Sequence, residues 1–88
     1  MPPAKPNLEV TVNFYSFFKD LTGCASVSHI IPSDSTLLTL LDQLAARFPR
    51  LEPLQNSMLI AVGLEYQDRK YVLRHGDEVS LFPPVQGG

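Results

Sequence analysis

Eighty-eight residues leave room for one hydrophobic core and no second domain. A 44% apolar share with only 18% charged residues excludes a disordered acidic or basic tail, and seven Lys+Arg against nine Asp+Glu, net −2, remove the electrostatic case for a nucleic-acid partner. The single Cys24 permits no intrachain disulfide, no apolar run nears the ~20 residues of a membrane span, and no signal segment is visible, so a cytoplasmic protein without membrane contact is expected.

Residues 1–7 hold three prolines and no periodicity, and read as a loose arm ahead of a domain over 8–82. Leu8, Val10, Val12 and Phe14 alternate with Glu9, Thr11, Asn13 and Tyr15, the period of a half-buried strand. From Phe14 the spacing lengthens to three and four through Phe17, Phe18 and Leu21, which predicts a short helix ending near Gly23. A weaker strand follows over 25–31 and stops at Pro32. Ser33-Asp34-Ser35-Thr36 is a run of cap formers, with Ser35 or Thr36 as the N-cap. Leu37, Leu40, Leu41, Leu44 and Phe48 then mark one face of a helix of about three turns, closed by Pro49.

Pro53 and Asn56-Ser57 predict irregular chain, 58–62 a buried strand turned by Gly63, and 66–73 a short strand pair around Asp68-Arg69. His75-Gly76-Asp77 reads as a turn into a last strand over residues 78–82. Pro83-Pro84 must end that strand, because neither residue can donate to a ladder. No internal repeat is visible. One helix on one side of a small mixed sheet makes an α+β fold, with a β-grasp (ubiquitin-like) arrangement expected.

The usual catalytic groupings are missing. His29 and His75 lie far apart and Cys24 has no partner at metal-ligand spacing, so the histidines read as surface or half-packed residues and no metal is expected. Cys24 follows the end of the predicted short helix, the pole of the dipole that disfavours a thiolate. Glycines 23, 63, 76, 87 and 88 build no phosphate-cradling loop, and Asp77 and Glu78 mostly serve the turn. The chain is expected to have no self-contained active site and no bound cofactor.

The C-terminal end differs. If Val79 and Leu81 face the core, Phe82 is a large aromatic on the polar side, a candidate docking residue; the competing reading folds its ring over a neighbouring strand. Pro83-Pro84 is then a stiff spacer, and residues 85–88 add roughly 13 Å of reach at ~3.3 Å per residue. Gly87 and Gly88 have no Cβ and can thread a channel too narrow for side chains. What such a tip delivers is the α-carboxylate of Gly88. Activated as an acyl-adenylate by a partner using ATP, that carboxylate becomes open to an amine or to a sulfur nucleophile. The sulfur route yields a terminal thiocarboxylate.

The ending G-D-E-V-S-L-F-P-P-V-Q-G-G, residues 76–88, closely resembles the MoaD family of ubiquitin-like sulfur carriers, the small subunits of molybdopterin synthase. K-D-L-T-G from Lys19, S-T-L-L-T-L-L from Ser35 and L-I-A-V-G from Leu59 fit the same family in order, so the resemblance covers about residues 8–88. It implies a β-grasp fold and a carrier role in molybdenum cofactor biosynthesis. It also implies an adenylating enzyme of the ubiquitin-activating type, a sulfur donor protein, and a large subunit in whose active site the tail inserts, usually as a heterotetramer. There, cyclic pyranopterin monophosphate receives the sulfur. Carried over, Gly88 bears the sulfur, Gly87 threads beside it, and Phe82, Pro83, Pro84 and Val85 form the docking segment. Many relatives have Arg-Glu at Lys19-Asp20, so charge is kept and the arginine fork lost at Lys19, a partner-docking position; many have Asn at Gly63, one turn former for another. Three other readings stay open: a thiamine-pathway carrier, a ubiquitin-like modifier joined through Gly88, and a plain binding module.

Overall fold

The computed structural model describes residues 7–84. Five strands and two α-helices are built there: β1 (Asn7–Phe14), α1 (Phe18–Thr22), β2 (Ser26–Pro32), α2 (Leu37–Arg47), β3 (Leu59–Val62), β4 (Glu65–Tyr66) and β5 (Glu78–Phe82), with a 3-10 helix at Pro49–Leu54. β1 starts one residue before the predicted domain edge, because Asn7 already pairs with Pro32. The rest of the predicted arm lies outside the described residues.

The sheet order is β2-β1-β5-β3-β4. β1 and β5 pair parallel at the centre, and the β1–β2, β3–β5 and β3–β4 pairs are antiparallel. A parallel pair needs a long crossover, and the chain between β1 and β5 supplies it with α2 across one face. This mixed sheet with a helix in its grasp is the β-grasp, as expected. Among the described residues no helix is long and apolar enough to cross a membrane.

Strand period decides which side chains meet α2. Val10, Val12 and Phe14 of β1, Val79 and Leu81 of β5 and Ile60 of β3 are buried, and they share the core with Leu37, Leu40, Leu41 and Leu44 of α2. Each such side chain contributes about 1.5–3 kcal/mol by leaving water. Phe48 caps α2 and meets Phe14 edge-on, with ring centroids 5.5 Å apart. Of the two cap candidates, Thr36 is the N-cap, its hydroxyl accepting from the Thr39 N–H at 3.4 Å. Ser35 instead donates its hydroxyl to the Pro32 carbonyl at 2.6 Å. α1 ends as its sequence predicts: Gly23 takes φ 79° and its N–H closes on the Lys19 carbonyl. Phe18 alone of the neighbouring phenylalanines is buried there, while Phe17 stands 46% exposed.

Two stretches depart from expectation. The chain after Pro49 is a 3-10 helix rather than irregular, because Leu51 is buried and pulls one turn onto the core. The strand pair expected over 66–73 is not formed. Only Glu65–Tyr66 pairs with β3, and Val72 makes one isolated bridge to Thr36. The backbone of 69–73 caps α2 instead, since the Tyr71 and Arg69 carbonyls accept from the Leu37 and Leu38 N–H groups at 2.9 and 3.0 Å. These are donors that a helix start leaves without intrahelical partners.

Candidate functional site

The alternation of β5 places Glu78, Ser80 and Phe82 on the sheet face opposite α2. Register then decides their neighbours. Glu78 lies beside Thr11, Ser80 between Asn13 and Ala61, and Phe82 beside Leu59. Asn13 donates from Nδ2 to the Glu78 carboxylate at 2.9 Å, which fixes the lower end of this face.

Phe82 is half-buried, so the two sequence readings meet in between. Its ring stacks on Tyr15 with centroids 4.7 Å apart and planes 12° from parallel. Tyr66 of β4 meets it edge-on at 6.4 Å and 63°. Tyr15 continues the β1 alternation one residue beyond the strand, and its N–H donates to the Leu81 carbonyl at 3.2 Å. Tyr15 is 43% exposed and Tyr66 72% exposed. The three rings form an aromatic group open to solvent at the end of the sheet from which the chain leaves. Leu64, fully exposed at the β3–β4 turn, follows Gly63 at φ 61°, a left-handed conformation that Asn also tolerates. That is the physical content of the Gly-for-Asn exchange.

Pro83 and Pro84 follow Phe82 half-buried and without regular structure, as two residues unable to donate to a ladder must be. Val85, Gly87 and Gly88 lie outside the described residues. Lys19 is exposed on α1, outside the aromatic group. Phe82, Pro83 and Pro84 are neighbours by sequence and the fold adds Tyr15 and Tyr66 to Phe82, whereas Lys19 belongs to another element. Sequence reasoning does not mark Tyr15 and Tyr66 as site residues. The signal for Tyr15 is its outward phase in β1; that it meets Phe82 is absent from any local pattern.

The other reactive side chains are occupied locally. Cys24 is half-buried against the core just past α1, with its Sγ 3.8 Å from the Thr22 carbonyl. His29 bonds Gln43 and Arg47, and His75 accepts from the Glu9 N–H at 3.1 Å. Asp77 accepts from the Tyr71 hydroxyl at 3.0 Å and the Arg74 N–H at 2.9 Å, as a turn residue does. Among the described residues no cavity is found, and no three His, Cys, Asp or Glu gather where they could hold a metal ion. What the described residues present is a sheet face whose three aromatic rings lie beside the segment that continues into Pro83-Pro84.

Residues 12–88 match the ThiS family. The chain is 32% identical over 82 residues to the molybdopterin synthase sulfur carrier subunit of Arabidopsis thaliana, covering 93% of this chain and 85% of that protein. To the human protein of the same name it is 31% identical over 86 residues, covering 94% and 98%. Among solved structures, SAMP1 of Haloferax volcanii superposes with a TM-score of 0.81 at 24% identity, over 91% of this chain and 99% of that one. The complex of subunits 1 and 2 of the Helicobacter pylori molybdopterin-converting factor contains a chain that superposes at 0.61 and 24% identity, over 92% and 100%. These structures share the fold.

Proposed function

The chain belongs to the ThiS family, and from that membership we propose that it is the sulfur-carrier subunit of molybdopterin synthase, acting in molybdenum cofactor biosynthesis. The observation that carries this is identity above 30% along nearly the whole of two chains with that name. The Phe-Pro-Pro-Val…Gly-Gly ending and the aromatic group at its root support it.

In this reading Gly88 is the reacting residue. An adenylating partner of the ubiquitin-activating type joins the Gly88 carboxylate to AMP and releases pyrophosphate from ATP. The carrier itself binds no cofactor. A sulfide equivalent from a sulfur donor protein then attacks the acyl carbon, forming the C–S bond as the C–O bond to AMP breaks. The product is a thiocarboxylate, a sulfur nucleophile where the carboxylate was unreactive. Gly87 and Gly88 carry it into the active site of the large subunit, where cyclic pyranopterin monophosphate takes the sulfur. The body docks through Phe82, Pro83, Pro84 and Val85, with Tyr15 and Tyr66 widening the apolar contact and Lys19 giving a charged one. Aromatic anchors dominate interfaces of this kind. A chain in the Helicobacter pylori two-subunit complex has the same fold, which supports a large-subunit partner; a heterotetramer is the assembly that the family resemblance implies. A cytoplasmic location agrees with the lone free Cys24.

The test is intact mass after incubation with an adenylating enzyme, ATP and a sulfur source. The expected product is heavier by the exchange of one oxygen for sulfur at Gly88. Covalent adducts on other proteins would replace the carrier by a modifier, and an unchanged mass with the cognate activating enzyme would overturn both.

A further inference from the structure

Among the described residues β2 forms one end of the sheet, and no strand pairs with its outer side. The Phe14 N–H donates to the Ala25 carbonyl at 2.8 Å, so in this antiparallel register Val27, His29 and Ile31 exchange hydrogen bonds with β1. The N–H and C=O groups of Ser26, Ser28 and Ile30 therefore point away from β1. β2 is seven residues long and contains no Lys, Arg, Asp or Glu, and Ile30 is 61% exposed. The opposite end of the sheet is guarded differently: β4 has two residues, one of them Glu65. An uncharged edge of the length of β2 is a template for another strand.

One side chain crosses that edge. Arg47, the last residue of α2, donates from Nη1 to the Ser28 carbonyl at 3.0 Å and lies 3.2 Å from His29 Nδ1. Its guanidinium also sits 5.2 Å from the centre of the Phe48 ring. With Nδ1 accepting from Arg47, the imidazole proton is on Nε2 and is donated to Gln43 Oε1 at 2.8 Å. Three contacts thus hold the guanidinium at the middle of the edge. The carbonyl it occupies is the centre of the one antiparallel self-pairing in which Ser28 faces Ser28 and Ser26 faces Ile30 of a second copy. No like charges would oppose that pairing, so β2 is complementary to itself.

We propose that Arg47 is a latch, held by Phe48, His29 and the Ser28 carbonyl, that closes the β2 edge against strand addition by a second copy of this chain. Removing the guanidinium frees the Ser28 carbonyl and opens the edge. The proposal is independent of the sulfur-carrier reading.

Sedimentation velocity over a concentration series tests it with the wild-type chain, Arg47→Ala and Arg47→Gln, each with and without Ser28→Lys. The wild type should stay monomeric. Both Arg47 variants should self-associate at least about tenfold more tightly. Hydrogen exchange should slow at the Ser26, Ser28 and Ile30 amides as their concentration rises. Ser28→Lys, at an exposed position, sets two lysines opposite each other and should restore the monomer. If Arg47→Ala loses its fold, Arg47→Gln decides. A wild type already paired through β2 would overturn the latch. So would Arg47 variants as monomeric as the wild type, or association that leaves those amides unprotected or ignores Ser28→Lys.

Discussion

Phe82 is held between two tyrosines, and its value to the fold differs from its value to a partner. Its stack on Tyr15 contributes about 1 kcal/mol beyond burial, by the usual worth of an aromatic pair. Val79 and Leu81 carry the core side of the same strand and are untouched by its loss. Phe82→Ala should therefore lower unfolding free energy by about 1–2 kcal/mol. It should weaken binding to the large subunit by about 2 kcal/mol or more, the scale of a buried aromatic anchor. Chemical denaturation and titration calorimetry measure the two losses, and the opposite ranking would make Phe82 a core residue. Its outward phase is legible in the alternation of E-V-S-L-F. Tyr15 as its stacking partner is not, because β1 and β5 meet through a parallel pairing of residues far apart in sequence.

At the scale of elements, α2 is the most legible part. Its cap formers, its leucine stripe and its stop at Pro49 are all written within residues 33–49, and helix contacts are local. The 69–73 segment misleads a reading from sequence because its partners are backbone donors at the start of α2, which leave no trace in its own side chains. The entry to β5 is set similarly. Tyr71 bonds the Asp77 carboxylate that also takes the Arg74 N–H, so the phenol fixes the turn preceding the strand. Burial first, then the hydrogen bond and charge of Asp77, raise the Tyr71 pKa above its ordinary 10.0. A raised value means that the stabilisation is complete below pH 10 and fades as pH climbs through the folded-state pKa. Tyr71→Phe should cost about 1 kcal/mol at neutral pH. The gap between wild type and variant should stay constant to about pH 10 and narrow beyond it, as thermal melts across the alkaline range would record. A gap independent of pH there would remove the Asp77 bond from the account.

For the whole molecule, the division is between a packed body and the C-terminal residues to which the proposed function assigns the chemistry. Every buried apolar side chain of the described core lies between Val10 and Leu81. Deleting Gly88 should thus leave the melting temperature unchanged while abolishing thiocarboxylate formation and sulfur transfer. A parallel drop in stability, read by calorimetry, would tie the tail to the fold. The sequence by itself determined the alternation of β1 and β5, the leucine face of α2, the run of cap formers before it, the turn at Gly76 and the glycine ending, because each is a matter of local period or backbone permission. Only the tertiary structure decided the sheet order, the meeting of Tyr15, Tyr66 and Phe82, the capping of α2 by 69–73 and the crossing of Arg47 over Ser28. Those depend on strand pairing and helix docking between distant segments, which burial of the whole core selects and no local pattern encodes.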